Sequence, residues 1–399
     1  MKVAIVLNTS WNIVNFRMGL VRKLLSLGHD VIAIAPNDRH SEKLVKAGCQ
    51  FENLTMDSRG ISPLRDAALV IELFKIYKRT TPDIILHFTI KPNIYGTLAA
   101  HWLKIPVINN VSGLGTVFLW KNIASRLAIK MYRLVFRYAD FVFFQNSDDK
   151  DHFLEMVGLR NLKSDVLPGS GIDITKFHPN GKLRNKKFTF LLIARLLIDK
   201  GIEEYIEAIK LLRKEGVDAK FQLLGNIDTD HKRGIPLVKI KNWINEGYVD
   251  YKGSTDDVKS YINKADCIVL PSYREGTPRT LLEGASMGKA LIASDVAGCN
   301  SVVIDGVNGY LCRVKDANDL ALKMKQMSEL STEALISMGK ESRILIENTY
   351  NEDFVVQKYI STISTLIPKS KTNIQINDGS GKPSLNGKAQ EVIISNEIH

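Results

Sequence analysis

The chain has no run approaching the roughly 20 consecutive apolar residues that a membrane-spanning helix requires, so a soluble or peripheral protein is expected. Its first apolar run, Val3 to Leu7, is too short for the core of a signal peptide and reads as a buried strand. Cysteine is scarce: Cys49, Cys267, Cys299 and Cys312 stand far apart with no paired spacing. That excludes a disulfide framework and a zinc site, and suits a reducing cytosol. Basic residues interleaved with aromatics, the pattern of a nucleic-acid reader, are missing as well. No internal repeat is evident beyond a doubling of fold class.

What is present is the composition of a globular protein. Hydrophobic residues make up 45% and charged residues 24% of 399, enough length for two domains of ordinary size. The net charge of +11 calls for an anionic partner, but charge alone does not choose among nucleic acid, acidic lipid and a phosphorylated substrate.

Short apolar runs alternate with longer periodic segments. Strands are expected at Val3–Leu7, Val31–Ala35, Ile84–His87, Val107–Asn109 and Phe141–Phe144, with helices at 15–27, 63–79, 92–103 and 121–138. Such alternation means βαβ units and a parallel sheet. Turn formers at Leu167–Asp173 and His178–Lys182 read as a linker, after which the pattern restarts. The second series has strands at Phe188–Ile193, 220–225, 267–270 and 290–293, and helices at 201–215 and 278–287. The expected fold is α/β, with two doubly wound, Rossmann-like domains facing across a cleft: 1–175 on the acceptor side and 176–348 on the donor side. A helix at 349–368 would cross back to the first domain, and 369–399 reads as a disordered polar tail. Ligands of open α/β sheets bind at strand carboxyl ends, so the chemistry is sought in the loops that follow strands.

One such loop is Pro271-Ser-Tyr-Arg-Glu-Gly-Thr-Pro-Arg-Thr-Leu-Leu-Glu283, after the apolar run Cys267–Leu270. Thr277 is expected to cap the following helix, with Pro278 at its first position. Gly276 would let backbone amides approach a ligand, and the helix start favours phosphate. Glu275 and Glu283 can face one pocket, and a carboxylate suits a sugar diol because it accepts two hydrogen bonds. A second loop, Ala194-Arg-Leu-Leu-Ile-Asp-Lys-Gly201, brings Arg195 and Lys200 to another strand end. Two cations beside a helix start are what a diphosphate leaving group needs. Read without their surroundings, the two glutamates are surface acids and the two cations a solvated turn.

Together these residues resemble a known family. Glu275 and Glu283, eight positions apart within Pro-Ser-x-x-Glu-Gly-x-Pro and Leu-Leu-Glu, are similar to the Glu-x7-Glu motif of family 4 glycosyltransferases, which are retaining enzymes of the GT-B fold. The resemblance extends through Gly171-Ile-Asp-Ile-Thr-Lys-Phe177 and Gly298-Cys-Asn-Ser-Val-Val to Gly306-Val-Asn-Gly309, and covers roughly residues 1 to 367. It implies that Arg195 and Lys200 contact the donor diphosphate, that Glu283 holds the ribose, and that Glu275 lies against the transferred sugar. Gly276, Thr277, Pro278 and Gly171 join the implied donor site. Asn15-Phe-Arg17, Phe88–Gly96 and Asn110-Val-Ser-Gly-Leu-Gly115 resemble the bacterial branch that extends polyprenyl-diphosphate-linked sugars for capsule, O-antigen or protein-linked glycans. Many members carry a Gly-Gly pair in the first loop; here that loop is Thr9-Ser-Trp-Asn-Ile-Val-Asn-Phe-Arg17, and Arg17 is the candidate in its place.

His87, at the end of a strand expected to face the cleft, is a candidate catalytic residue by the same resemblance and a framework residue by the simpler reading. Lys91 shares that ambiguity on the acceptor side. Lys121, Arg126, Lys130, Arg133 and Arg137 form a basic, acid-free segment with apolar residues at helical spacing, suited to docking on an anionic membrane surface or merely to solvation. Asp228-Thr-Asp230 is read as a polar loop, because Lys232 and Arg233 follow it and the resembled fold is metal-independent. Gly379-Ser-Gly-Lys382 lacks the first glycine of a phosphate loop. Asp148–Asp151 reads as the acidic first turn of a helix. The expected activity is transfer of a hexose or N-acetylhexosamine from a nucleotide-diphosphate sugar, uridine-linked, to a lipid-linked saccharide at the inner face of the plasma membrane. Neither cofactor nor metal is expected. A sugar-nucleotide epimerase of similar fold and a basic nucleic-acid or membrane binder are the competing readings.

Overall fold

The computed structural model describes residues 1–57, 62–114, 123–181, 186–228 and 233–368. Two parallel sheets are built in succession. The first consists of β1 (Lys2–Val6), β2 (Asp30–Ala35), β3 (Gln50–Asn53), β4 (Ile84–Phe88), β5 (Val107–Val111), β6 (Phe141–Phe144) and β7 (Ser164–Val166). Their order is β3-β2-β1-β4-β5-β6-β7. The second consists of β8 (Phe188–Ile193), β9 (Ala219–Leu224), β10 (Asp250–Tyr251), β11 (Cys267–Leu270), β12 (Ala290–Ser294) and β13 (Gly309–Cys312), in the order β10-β9-β8-β11-β12-β13. Central strands such as β4, β8 and β11 are buried throughout, so both faces are apolar and the sequence shows a continuous run rather than alternation.

Strand order reverses direction once in each sheet. In the first, Val3 pairs with both Val31 and Ile84; in the second, β8 pairs with both β9 and β11. Loops leaving the two strands at such a point diverge and leave a crevice. The four loops concerned follow β1, β4, β8 and β11. They carry, respectively, Trp11 to Arg17, the segment after Phe88, Arg195 with Lys200, and Pro271 to Pro278.

The helix expected at 15–27 is two helices, α1 (Ser10–Phe16) and α2 (Met18–Ser26). Thr9 Oγ1 accepts from the Asn12 amide at 3.1 Å and starts the first helix early. Arg17, with φ −132° and ψ 2°, breaks the run. α3 (Pro63–Thr80) matches expectation. The expected 92–103 helix is a π-type turn at Pro92–Gly96 followed by α4 (Thr97–Leu103). α5 (Ile123–Val135) ends in a 3-10 turn, Phe136–Tyr138. α6 (Ser147–Val157) is capped by the Asn146 side chain and has Asp148 and Asp149 in its first turn. In the second half, α7 (Ile202–Lys214) follows β8 and α8 (Arg279–Ser286) follows β11.

Residues 1–367 form one compact unit. Its final helix, α9 (Glu352–Leu366), buries Val355, Val356, Tyr359 and Ile363 in the same core cluster as Val3, Ile5, Leu20 and Phe143. The chain thus ends the second half packed on the first. No helix among the described residues is long and apolar enough to cross a membrane.

Candidate functional site

The β8 loop is shaped by close backbone approach. Gly201 has φ +69°, and a Cβ there would strike the Pro271 carbonyl, so the β8 and β11 loops lie against each other. The Tyr273 amide donates to the Asp199 carbonyl at 3.0 Å across the same junction. This brings Lys200 Nζ to 2.5 Å from Glu275 Oε1, with both side chains largely buried.

Pro278, not Thr277, is the N-cap residue of α8. Thr277 is turned away: its Oγ1 donates to the Gln145 carbonyl at 3.0 Å, a partner in the first half of the chain. Gly276 also differs from expectation. A Cβ there would sit 2.8 Å from the Ser112 carbonyl oxygen, so the close approach it permits is that of protein backbone.

A cavity of about 850 Å³ opens between the halves. Arg195, Lys176, Arg279 and Glu283 line it from the second half; Trp11, Phe16 and Arg39 line it from the first. Glu283 lies one turn into α8, buried, with Oε1 accepting from Arg279 Nε at 3.1 Å. Burial pushes its carboxyl above the usual range, opposed by Arg279 and Lys176. Arg279 also donates to Ser170 Oγ and to the Gly171 carbonyl, and its guanidinium lies 5.3 Å from the Phe16 ring centroid. Arg39 reaches Asp256 at 3.3 Å, spanning from one half to the other. Arg195 and Glu283 therefore share one cavity wall, whereas Lys200 and Glu275 form their own pair and are not part of its lining.

The remaining candidates lie elsewhere. His87 is not on the cleft wall: it is fully buried, with Nε2 2.9 Å from Tyr77 Oη and Nδ1 3.1 Å from Asn109 Oδ1. Burial lowers its pKa to about 3, the Asn109 hydrogen bond acting in the opposite direction. A Cβ on Gly96 would collide with its ring, which is why the chain turns there on glycine. Arg17 is 5% exposed, stacked 4.3 Å over the Phe88 ring, with no partner for Nε among the described residues; burial lowers its pKa. It too stands apart from the cavity lining.

Gly171, with φ +67°, marks the crossing of the chain: a Cβ there would strike the Glu352 backbone. Its neighbour Ile172 donates to the Tyr350 carbonyl at 2.8 Å. Lys91 pairs with buried Asp66 at 2.9 Å. Arg126, Lys130, Arg133 and Arg137 are exposed on or just after α5, interspersed with exposed Leu127 and Leu134. Lys121 lies outside the described residues, as do Thr229 and Asp230 of the polar loop and the whole segment 369–399. Sequence reading missed Arg279, Lys176 and Arg39. The first was legible as the cation four residues before Glu283 on one helix face; the third is brought in only by tertiary structure.

Two doubly wound parallel halves in succession, with the cation-bearing loops at strand carboxyl ends, are the GT-B fold. Residues 2–146 match the family described as Glycosyl transferase 4-like, and residues 173–352 the family described as Glycosyl transferases group 1. The chain belongs to the family 4 glycosyltransferases. It is 28% identical over 384 residues to the N,N'-diacetylbacillosaminyl-diphospho-undecaprenol alpha-1,3-N-acetylgalactosaminyltransferase of Campylobacter jejuni, covering 92% of this chain and 99% of that one. It is 24% identical to the Escherichia coli UDP-Gal:alpha-D-GlcNAc-diphosphoundecaprenol alpha-1,3-galactosyltransferase, over 73% of this chain and 78% of that one. Among solved structures, Anabaena HepE in complex with UDP-glucose superposes with a TM-score of 0.76 at 18% identity, over 92% of this chain and 100% of that one. That likeness is one of fold.

Proposed function

We propose that this glycosyltransferase moves a hexose or N-acetylhexosamine from a uridine-diphosphate sugar to a saccharide carried on a polyprenyl diphosphate, with retention at the anomeric carbon. The observation that carries this reading is the cavity between the halves, where buried Glu283 stands among Arg195, Lys176 and Arg279. Three cations suit a diphosphate, and a carboxylate held among them suits a ribose diol. The names of the Campylobacter and Escherichia relatives support a lipid-linked acceptor.

In this reading Arg195 and Arg279 bind the donor diphosphate, while Lys200 and Glu275 sit beside the sugar. The bond from C1 to the β-phosphate oxygen breaks on the face that the acceptor hydroxyl approaches. The leaving phosphate oxygen takes the hydroxyl proton, so the protein positions the reactants and stabilises developing negative charge. His87, neutral and fully enclosed, supports the β4 end through Tyr77 and Asn109 and moves no proton. The exposed cations of α5, with Leu127 and Leu134 between them, would hold the enzyme on an anionic membrane surface on the cytoplasmic side. No metal and no other cofactor enters this scheme.

The test is a transfer assay with UDP-glucose, UDP-galactose, UDP-N-acetylglucosamine and UDP-N-acetylgalactosamine against an undecaprenyl-diphosphate-linked monosaccharide. Proton NMR then reads the anomeric configuration of the product. The reading expects one donor to be used, with an α-linked product. Inverted configuration removes the retaining mechanism. Conversion of a donor into its epimer without acceptor would replace transferase by epimerase.

A further inference from the structure

Four consecutive residues, Arg274 to Thr277, form the loop that carries Glu275, and three of them are held by the other half of the chain. The Arg274 guanidinium pairs with the Asp149 carboxylate at the first turn of α6. The Gly276 carbonyl accepts from Asn146 Nδ2 at 2.8 Å, and Thr277 Oγ1 donates to the Gln145 carbonyl. Gly113, with φ +116°, packs on Gly276: a Cβ there would lie 3.3 Å from its Cα. Only the Glu275 side chain turns back, to Lys200.

Asp149 is the unusual member of this set. Its side chain is 1% exposed, and its carboxylate also accepts from the Leu114 amide at 3.3 Å. Taking a carboxylate so far out of water is costly, and an ion pair barely offsets that cost, so such pairs are a weak source of stability. They are better suited to fixing one arrangement against near alternatives. Here the arrangement fixed is the register of the Glu275 loop against the first half.

We infer that Asp149 and Arg274 are positioning residues for sugar transfer, docking the Glu275 loop on the first half so that Glu275 and Lys200 are aimed at the sugar. The inference rests on the proposed reading that Glu275 lies beside the transferred sugar. The pair lies outside the lining of the Arg195–Glu283 cavity, so nucleotide affinity is independent of it. Displacement of a positioned group by about 1 Å can lower turnover by about a hundredfold.

The experiment uses the full-length protein and the UDP-sugar that the wild type turns over, reading kcat and KM from UDP release and UDP affinity from calorimetry. The variants are Arg274→Gln, Arg274→Lys, Asp149→Asn and the Arg274→Gln/Asp149→Asn double. Arg274→Gln and Asp149→Asn should each lower kcat by about thirty- to a hundredfold, with UDP affinity within about twofold of wild type. The double variant should be no worse than either single, and Arg274→Lys should recover part of the loss. Arg274 is on a loop and partly exposed, so its variants carry the test even if Asp149→Asn does not fold. A folded Arg274→Gln enzyme with kcat within about threefold of wild type, or effects that multiply in the double, overturns this inference alone. A wild type that neither binds UDP nor releases it from any UDP-sugar overturns the transferase reading and this inference with it.

Discussion

At the scale of single residues, burial decides which candidates can act. His87 stays neutral because enclosure depresses its pKa to about 3, against an ordinary value of 6.5. Between those two pH values the unfolded chain binds a proton that the folded chain refuses. The stability due to neutral His87 is therefore fully present above pH about 6.5 and is lost as pH falls toward about 3, by up to about 1.4 kcal/mol per pH unit. Urea titrations across this window should show a shallower decline for His87→Gln than for wild type. Equal slopes would mean that His87 is accessible to protons in the native state. Glu283 is buried beside Arg279 at 3.1 Å, and its substitution removes hydrogen-bond capacity rather than bulk. Glu283→Gln should lower kcat/KM by about ten- to a hundredfold, as expected for a charge-assisted hydrogen bond. An unchanged value would remove Glu283 from the donor site.

At the scale of elements, what was legible is what burial enforces. The runs Phe188–Ile193 and Cys267–Leu270 became strands with those bounds because both faces are covered, and apolar continuity is then the whole signal. The strands β3, β7, β10 and β13 escaped notice because they are short or only partly buried, and so carry no run. The break at Arg17 was invisible for a related reason. Nothing in Val14-Asn-Phe-Arg-Met18 forbids a helix, and the kink is set where the Arg17 guanidinium folds over Phe88. The α5 cations, by contrast, were legible as a cluster. Replacing Arg126, Lys130 and Arg137 by glutamine should weaken binding to phosphatidylglycerol vesicles by about a hundredfold, at about 1 kcal/mol per cation. Arg133 is left intact because its Nε holds the Val157 carbonyl at 2.7 Å. Vesicle co-sedimentation indifferent to these changes, or to raised salt, would return the helix to ordinary solvation.

At the scale of the molecule, the loop that carries Glu275 belongs to one half and is held in place by both. The loop motifs were readable because their residues are close in sequence. Arg39 with Asp256, and Asp149 with Arg274, were not, because each pair joins residues more than a hundred positions apart. The return of the chain through Gly171 and α9 makes the halves one unit, and that crossing is fragile. Gly171→Ala forces a Cβ into the Glu352 backbone at φ +67°, and should cost about 2 kcal/mol or more in chemical denaturation. A loss below about 0.5 kcal/mol would show that the crossing yields easily.

The central claim is that the cavity between the halves holds a uridine-diphosphate sugar through Arg195 and Glu283. Calorimetric titration of UDP-sugars into the wild type, Arg195→Ala and Glu283→Ala proteins tests it most directly. The account predicts saturable binding of one donor by the wild type, weakened at least about tenfold in each variant while both remain folded. Undiminished binding in both variants would place the donor elsewhere, and no binding by the folded wild type would contradict the account at its root.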